Sequence, residues 1–161
     1  MTETTFGEDV NYWKTSRSSP DVWVERAKRQ IVKLGGEVAM EGFGSEPLSG
    51  RSAYLLAFSV GGDSYKITWP VLASKTNDQR AARVQAATML YHDVKAKCIS
   101  AAVLGTRAAF FTYLMLPDGR VVSEASLPEL AADIPAMLGG QAALGAGTNI
   151  VDGEFSRVSG R

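Results

Sequence analysis

The sequence predicts a single α+β domain: a helix, a three-stranded antiparallel sheet, a long helix, then smaller C-terminal helices. Two patterns carry this prediction. Apolar residues recur at helical spacing over residues 20–34 and 77–104, and they alternate at strand spacing over 37–43, 52–60 and 64–69. A chain of 161 residues, 45% of them hydrophobic, can bury one core. We expect this domain to span residues 18–138, between a flexible arm (1–17) and a flexible acidic-apolar tail (139–161).

The first helix has a clear start and a clear end. Ser19 can cap it, and Pro20 suits the first helical position. Gly35 and Gly36 stop it. Its expected buried stripe consists of Trp23, Ala27, Ile31 and Leu34.

Three strands are expected next, and residues 52–60 form the clearest of them. Gly61-Gly62-Asp63 then predicts a tight turn, so that strands two and three form a hairpin. The third strand places Lys66 and Thr68 on one face and its aromatic residues on the other. Pro70 ends this strand.

The long helix runs from about Asn77 to Leu104. Asn77 or Thr76 can cap it, and its buried line contains Val84, Ala87, Tyr91, Val94, Cys98 and Ala101. His92 and Asp93 point away from that line, which favours a solvent-facing polar pair over a catalytic one.

Beyond Gly105 two interpretations stay open. Thr106 could cap a short helix over residues 106–114, which we favour slightly. The same stretch could be a strand that turns at Pro117-Asp118-Gly119 and pairs with residues 120–123. Residues 127–138 are expected to be helical, with interruptions at two prolines.

Composition excludes several kinds of site. The single cysteine, Cys98, excludes a disulfide framework, and the single histidine, His92, excludes a multi-histidine metal site. No nucleophile elbow, phosphate-binding loop or dinucleotide-binding glycine pattern is present. We therefore expect no enzymatic activity, no cofactor and no metal.

The sequence also bears on localisation. No apolar run approaches the roughly 20 residues that span a bilayer, and the polar first ten residues lack the apolar core of a signal peptide. We therefore expect a cytoplasmic protein with no membrane partner.

The net charge is zero, but the charge is unevenly distributed. Residues 11–107 contain 14 Lys or Arg and 8 Asp or Glu, whereas residues 1–10 and residues 108–161 each carry a net charge of −3. A basic body between acidic ends indicates a polyanion-binding protein whose ends could compete for the same surface. A chance fluctuation is an equally weighted alternative.

Eight residues are candidates for contact with nucleic acid. Amide groups at a helix N-terminus attract phosphate, and cations nearby strengthen that attraction, which favours the start of the long helix. Cations of the first helix would form a second line, and an aromatic residue in the arm could stack on a base. The candidates are Lys66, Lys75, Arg80, Arg83, Arg26, Arg29, Lys33 and Trp13. Ordinary solvation or core packing is the alternative role for each of them.

The order of helix, three antiparallel strands and long helix resembles two nucleic-acid-binding folds. The stretch from Ser74-Lys75 through Arg80 and Arg83 to Ala86-Ala87 is similar to the phosphate-gripping motif of double-stranded-RNA-binding domains, although its lysines are fewer and the helix is longer. The same order resembles the core of single-strand annealing proteins of phages and eukaryotes. That resemblance implies a ring of subunits that holds single-stranded DNA in a basic groove.

A second resemblance covers residues 80–138. This part of the chain is similar to a set of small phage and prophage proteins of unassigned function, through Val94-Lys95-Ala96-Lys97, Gly105, Phe110-Phe111, Leu116-Pro117-Asp118-Gly119-Arg120, Pro128 and Met137-Leu138. The closing Val151-Asp152-Gly153-Glu154-Phe155 is similar to the ends of many phage recombination proteins. These resemblances imply a phage protein in the host cytoplasm and a role in DNA metabolism.

We therefore expect a phage-type nucleic-acid-binding protein that binds or anneals single-stranded DNA in recombination and forms a homo-oligomer. The main alternative is a protein-interaction module, such as a phage inhibitor or an adaptor of a host factor, that binds no nucleic acid. In either case the C-terminal tail could contact a host protein. A virion structural protein is a third possibility.

Overall fold

A computed structural model of the protein describes residues 3–45 and 51–125. Its main elements are α1 (Pro20–Lys33), β1 (Glu37–Ser45), β2 (Ser52–Val60), β3 (Asp63–Pro70), α2 (Gln79–Leu104) and α3 (Thr106–Ala109). The predicted α+β class and the predicted order of elements are confirmed. The chain divides into two compact units, Met1–Ser123 and Glu124–Arg161, and these six elements lie in the first. The predicted helix at 127–138 and the predicted tail at 139–161 lie outside the described residues.

Helix α1 has the predicted start, and Ala27 and Ile31 of its predicted stripe are buried, whereas Val24 takes the place of Trp23. Ser19 occupies the N-cap position, but its side chain makes no capping hydrogen bond. Trp23 and Leu34, both expected in the stripe, are only half-buried. A Cβ at Gly36 would lie 2.7 Å from Ile31, so the chain needs a glycine where it leaves the helix. The buried side chains of α1 are Val24, Ala27 and Ile31.

The three strands form one antiparallel sheet in the order β1-β2-β3. Strands β2 and β3 are joined by Gly61 and Gly62, whose φ angles of +59° and +87° are positive, as a type I′ hairpin turn requires. The predicted hairpin is therefore confirmed. One face of this hairpin carries the aromatic and aliphatic side chains of the core: Tyr54, Leu56, Phe58, Tyr65 and Ile67.

Strand β1 is the least covered of the three strands. Seven of its nine residues are exposed and the other two are half-buried. Its pairing with β2 shifts between Val38 and Met40, so Ala39 is bulged out of register. Met40 and Phe43 are 53% and 42% exposed, which is unusual for large apolar side chains in a strand.

The cap of helix α2 differs from the prediction. The side chain of Asp78 accepts a hydrogen bond of 3.0 Å from the amide of Ala81, so Asp78 is the cap rather than Thr76 or Asn77. Asn77 adopts a φ of +57° just before it. The helix consequently begins at Gln79, two residues later than expected.

In the first half of α2, buried residues cover more of the helix surface than the single apolar line that the sequence predicts. Val84, Ala87, Val94 and Ala101 of the predicted line are buried, whereas Tyr91 and Cys98 are half-buried. Burial raises the pKa of the Cys98 thiol. The additional buried residues of the helix are Ala82, Gln85, Ala86, Thr88 and Leu90.

The N-terminal arm supplies the extra cover. The sequence predicts a flexible arm, and in the structure specific contacts hold residues between 6 and 16. Gln85, only 1% exposed, donates from its side-chain amide to the carbonyl oxygens of Gly7, Val10 and Asn11. The amide of Gly7 in turn donates to the carbonyl of Ala73 at 2.8 Å. A polar side chain inside an apolar helix pattern is the residue that anchors the arm.

Residues 105–123 combine the two alternatives that the sequence leaves open. Helix α3 starts at Thr106, but it lasts only one turn, and a one-turn 3₁₀ helix follows at Phe111–Tyr113. Met115 then pairs with Val121 across the turn at Pro117-Asp118-Gly119. Both the short helix and the hairpin are therefore present, each in a shorter form than expected.

Two sets of side-chain contacts help to attach this segment to the sheet. Arg107 donates to both carboxylate oxygens of Asp63, at 2.9 and 3.0 Å. Phe110 is fully buried, and its ring centre lies 5.4 Å from that of Phe58 and 5.8 Å from that of Tyr65. The segment thereby completes one end of the core.

Candidate nucleic-acid interface

The predicted cations at the start of α2 are all exposed. Lys75 lies in the loop before the helix, and Arg80 and Arg83 lie in its first turns. The guanidinium of Arg83 lies 4.2 Å from the centre of the Phe43 ring on β1. Arg83 is therefore positioned by a cation–π contact.

Lys75 already has a carboxylate partner in the arm. Its ammonium donates to Asp9, and its backbone amide donates to the carboxylate of Glu8 at 3.0 and 3.1 Å. Partial desolvation raises the pKa of Glu8, but hydrogen bonds from Ser74 and from the Lys75 amide outweigh it and lower this pKa to about 2. The acidic arm thus occupies the loop in front of α2, where the sequence suggests a phosphate contact.

The cations of α1 divide into two groups. The guanidinium of Arg26 lies 4.6 Å from the centre of the Trp23 ring. Arg29 and Lys33 lie further along the helix and line a shallow groove of about 490 Å³ between α1 and β1. Among the described residues, Arg26 is therefore the one of the three that lies against an aromatic side chain.

Lys66 lies on the other face of the sheet from the core. It pairs with Ala57 of β2, and its neighbours Tyr65 and Ile67 are fully buried on the opposite face. The predicted separation of Lys66 from the aromatic face of this strand is therefore confirmed for Tyr65. The structure does not bring Lys66 together with the helix cations.

Trp13 has a packing partner within the arm. It is half-buried, and a Cβ at Gly7 would lie 2.7 Å from its ring. Trp13 therefore has a structural explanation that the sequence did not suggest. Its neighbour Tyr12 is the more exposed ring, at 37%.

Four aromatic rings from three segments meet beside the arm, and we call Tyr12, Trp23, Tyr91 and His92 the aromatic cluster. Tyr12 stacks on His92 with ring centres 4.7 Å apart and planes 9° from parallel. Trp23 contacts both Tyr91 and His92, at 5.2 and 5.9 Å. The indole of Trp23 also donates a hydrogen bond of 3.0 Å to Ser16 of the arm. The arm, α1 and α2 are therefore joined at this point.

Two cations border the aromatic cluster. Arg26 lies over Trp23, and the ammonium of Lys95 lies 5.9 Å from the centre of the Tyr91 ring. Both cations are exposed. Tyr12 itself has a φ of +71°, an uncommon conformation for a bulky residue. A strained residue thus presents its ring at the surface of a cluster whose other rings, Trp23 and Tyr91, each contact a cation.

The sequence did not indicate this cluster. His92 and Asp93 were expected to form a solvent-facing pair, and this expectation is wrong for both. His92 is half-buried beneath Tyr12, while Asp93 accepts hydrogen bonds from Tyr113 at 2.8 Å and from Lys97 at 3.0 Å. The one available signal was an aromatic pair, Tyr12-Trp13, in an arm with no other apolar pattern.

Other kinds of site find no support in the described residues. Within 3–45 and 51–125, no three His, Cys, Asp or Glu residues come together as a metal site would require. No helix in the same ranges is both long and apolar enough to cross a membrane. The chain matches no protein-family model, and no curated protein or solved structure is significantly similar to it.

Proposed function

We propose that the protein binds single-stranded nucleic acid, with the aromatic cluster as its base-stacking surface. The observation that carries the proposal is the stack of Tyr12 on His92 within a cluster whose other two rings, Trp23 and Tyr91, contact Arg26 and Lys95. Aromatic rings bind unpaired bases of any sequence because every base has a π face, and cations nearby neutralise the backbone. Single-stranded DNA is the favoured ligand.

The outer face of the Tyr12 ring is the proposed stacking position. One face of this ring lies on His92, and the side chain remains 37% exposed. A base placed on the free face would extend the existing stack. Paired bases in a duplex have no free π face except at an end, so this surface favours single strands over duplexes.

The start of α2 supplies further charge for the backbone. Arg80 and Tyr91 are 11 residues apart, which is close to three helical turns, so they share one side of α2 about 16 Å apart. Arg80 is exposed and follows the capped helix start. A strand bound at the aromatic cluster can therefore run along α2 toward Arg80, whereas Lys75 is already paired with the arm.

The first test is fluorescence anisotropy with labelled single-stranded DNA, duplex DNA and duplex RNA across a salt series. We expect salt-sensitive binding that favours the single strand. Lack of binding even at low salt, where electrostatic attraction is strongest, would overturn the proposal. It would favour a protein-interaction module, for which Ile99, Val103 and Leu104 at the end of α2, between 63% and 83% exposed, are an available surface.

Two variants separate stacking from charge. Tyr12→Ala should weaken single-strand binding about tenfold with little change in its salt dependence, since stacking on one base is worth roughly 1–3 kcal/mol. Arg26→Glu should weaken binding and reduce the salt dependence. Lys66→Glu is the matched control, because it makes the same charge change on the face of the sheet that points away from the core and the helices. An equal loss of affinity in Lys66→Glu and Arg26→Glu would refute the assignment of the site to the aromatic cluster.

A further inference from the structure

The two edge strands of the sheet differ in how far other segments of the chain cover them. The edge of β3 is covered in part, because Leu114 bridges Tyr65 and the amide of Met115 donates to the carbonyl of Ser64. That edge also ends at Pro70, which has no amide hydrogen to offer. The edge of β1 has no strand beside it among the described residues. Unpaired backbone groups on an edge strand are a template for pairing with another chain.

The described residues of one copy offer no structural explanation for two glycines in β1. Gly42 and Gly44 do not adopt positive φ angles, and a Cβ at either position would meet no atom of the described residues within 4 Å. Neither turn geometry nor close packing therefore requires them. Glycine in a strand interior often marks a place where another backbone approaches closely.

We infer that β1 pairs with β1 of a second copy, antiparallel and centred on Gly42, to form a continuous six-stranded sheet. In this register Gly42 lies opposite Gly42 of the second copy. Met40 lies opposite Gly44 of the second copy, where the missing side chain leaves space for the thioether. The bulge at Ala39 limits the regular part of the pairing to residues 40–44.

The charges on the inner face of β1 are complementary in this register. Glu41 lies directly opposite Phe43 of the second copy, and both residues are on the helix-covered face, since they pair with Leu56 and Tyr54 of β2. Phe43 carries the guanidinium of Arg83 on its ring. The carboxylate of Glu41, already 2.6 Å from Lys28 of its own chain, therefore comes close to Arg83 of the second copy. Complementary charges would fix the register of the pair.

Charge exchange tests the inference. Sedimentation velocity across protein concentration is expected to give a reversible dimer for the unchanged protein. Glu41→Lys should raise the dimer dissociation constant at least about tenfold, because it places two cations together. The double variant Glu41→Lys with Arg83→Glu restores the attraction in reversed form and should recover most of the dimer. Glu25→Lys is the control, since it removes the other partner of Lys28 without touching the edge of β1.

Cysteine cross-linking tests the register directly. In a background with Cys98→Ala, Gly42→Cys should form a disulfide dimer on oxidation, because opposed residues of antiparallel strands lie about 4.5–5.5 Å apart between Cα atoms. Gly44→Cys alone should not cross-link, but it should do so when mixed with Met40→Cys. The inference does not depend on nucleic-acid binding. It is overturned by a protein that stays monomeric up to about 500 µM, by a double variant that does not recover, or by Gly44→Cys cross-linking as readily as Gly42→Cys.

Discussion

The side-chain amide of Gln85 is buried in α2 and donates to the carbonyl oxygen of Gly7 at 2.8 Å. The same nitrogen also donates to the carbonyl oxygens of Val10 and Asn11, at 3.2 and 2.9 Å. The two hydrogens of this one nitrogen are therefore shared among three backbone acceptors of the arm, in and just after its 3₁₀ turn at Gly7–Asp9. This arrangement makes the arm part of the folded unit and places Tyr12 beside His92.

Replacement of Gln85 by leucine should release the arm. Gln85→Leu leaves three carbonyl oxygens without their donor, and we expect the free energy of unfolding to fall by about 2 kcal/mol. Trypsin should then cut faster after Lys14 and Arg17, which limited proteolysis with mass spectrometry would detect. Gln79→Leu, an exposed glutamine in the first turn of the same helix, is the control. Equal stability and equal cleavage in the two variants would contradict this role of Gln85.

A side chain at Gly7 should also disturb this contact. In Gly7→Ala the new Cβ would lie 2.7 Å from the Trp13 ring and 2.8 Å from the Gln85 side-chain oxygen, so one of them must move. We expect a loss of about 1–3 kcal/mol, as for other overpacked sites. Gly44→Ala, whose new Cβ meets nothing within 4 Å in the described part of the chain, should change stability much less when both are measured by urea unfolding at low protein concentration.

The stability that Glu8 contributes through its hydrogen bonds to the loop before α2 should depend on pH. The pKa of Glu8 is lowered from 4.5 to about 2 in the folded protein. A carboxyl group with a depressed folded pKa stabilises the fold above its unfolded pKa, and this stabilisation is lost as the pH falls from about 4.5 toward 2. Stability measured by denaturant unfolding across this window should therefore decrease less steeply in Glu8→Gln. Glu3→Gln, the same change elsewhere in the arm, should keep the full slope. An unaltered slope in Glu8→Gln would contradict the attribution of this pH dependence to the Glu8 carboxylate.

The Tyr65 hydroxyl is buried without a well-placed hydrogen-bond partner among the described residues. Burial raises the pKa of Tyr65 to about 12. Removing an unpaired buried hydroxyl removes its desolvation cost, so Tyr65→Phe should stabilise the protein by about 1 kcal/mol. Chemical denaturation of the two proteins would measure this, and a loss of more than about 1 kcal/mol would reveal a hydrogen bond that matters.

The local elements could be predicted because local residues determine them. Gly61 and Gly62 permit the positive φ angles of the hairpin turn, and Gly36 leaves room where α1 ends. The 3.6-residue periodicity located both long helices. The segment after Gly105 was ambiguous because its residues suit both structures, and the chain uses each for only a few residues.

The candidate site could not be predicted in the same way. Its rings come from the arm, α1 and α2, and no pattern in any one of these segments indicates the other two. Gln85 interrupts an apolar helix pattern, which gives no indication of the segment that it binds. Arg26 and Lys75 were candidates from the sequence, whereas Lys95 was not. Only the structure places Arg26 and Lys95 beside aromatic rings and Lys75 beside the carboxylate of Asp9.

The pair of hydrogen bonds from Arg107 to Asp63 has a kinetic consequence. The two residues are 44 positions apart, and the contact requires that α2 already lies across the sheet. The turn at Gly61-Gly62, by contrast, can form within its own hairpin. We expect Arg107→Ala to accelerate unfolding while leaving the refolding rate nearly unchanged, as for a contact made after the transition state. The pair would then determine how long the folded protein persists rather than how quickly it forms.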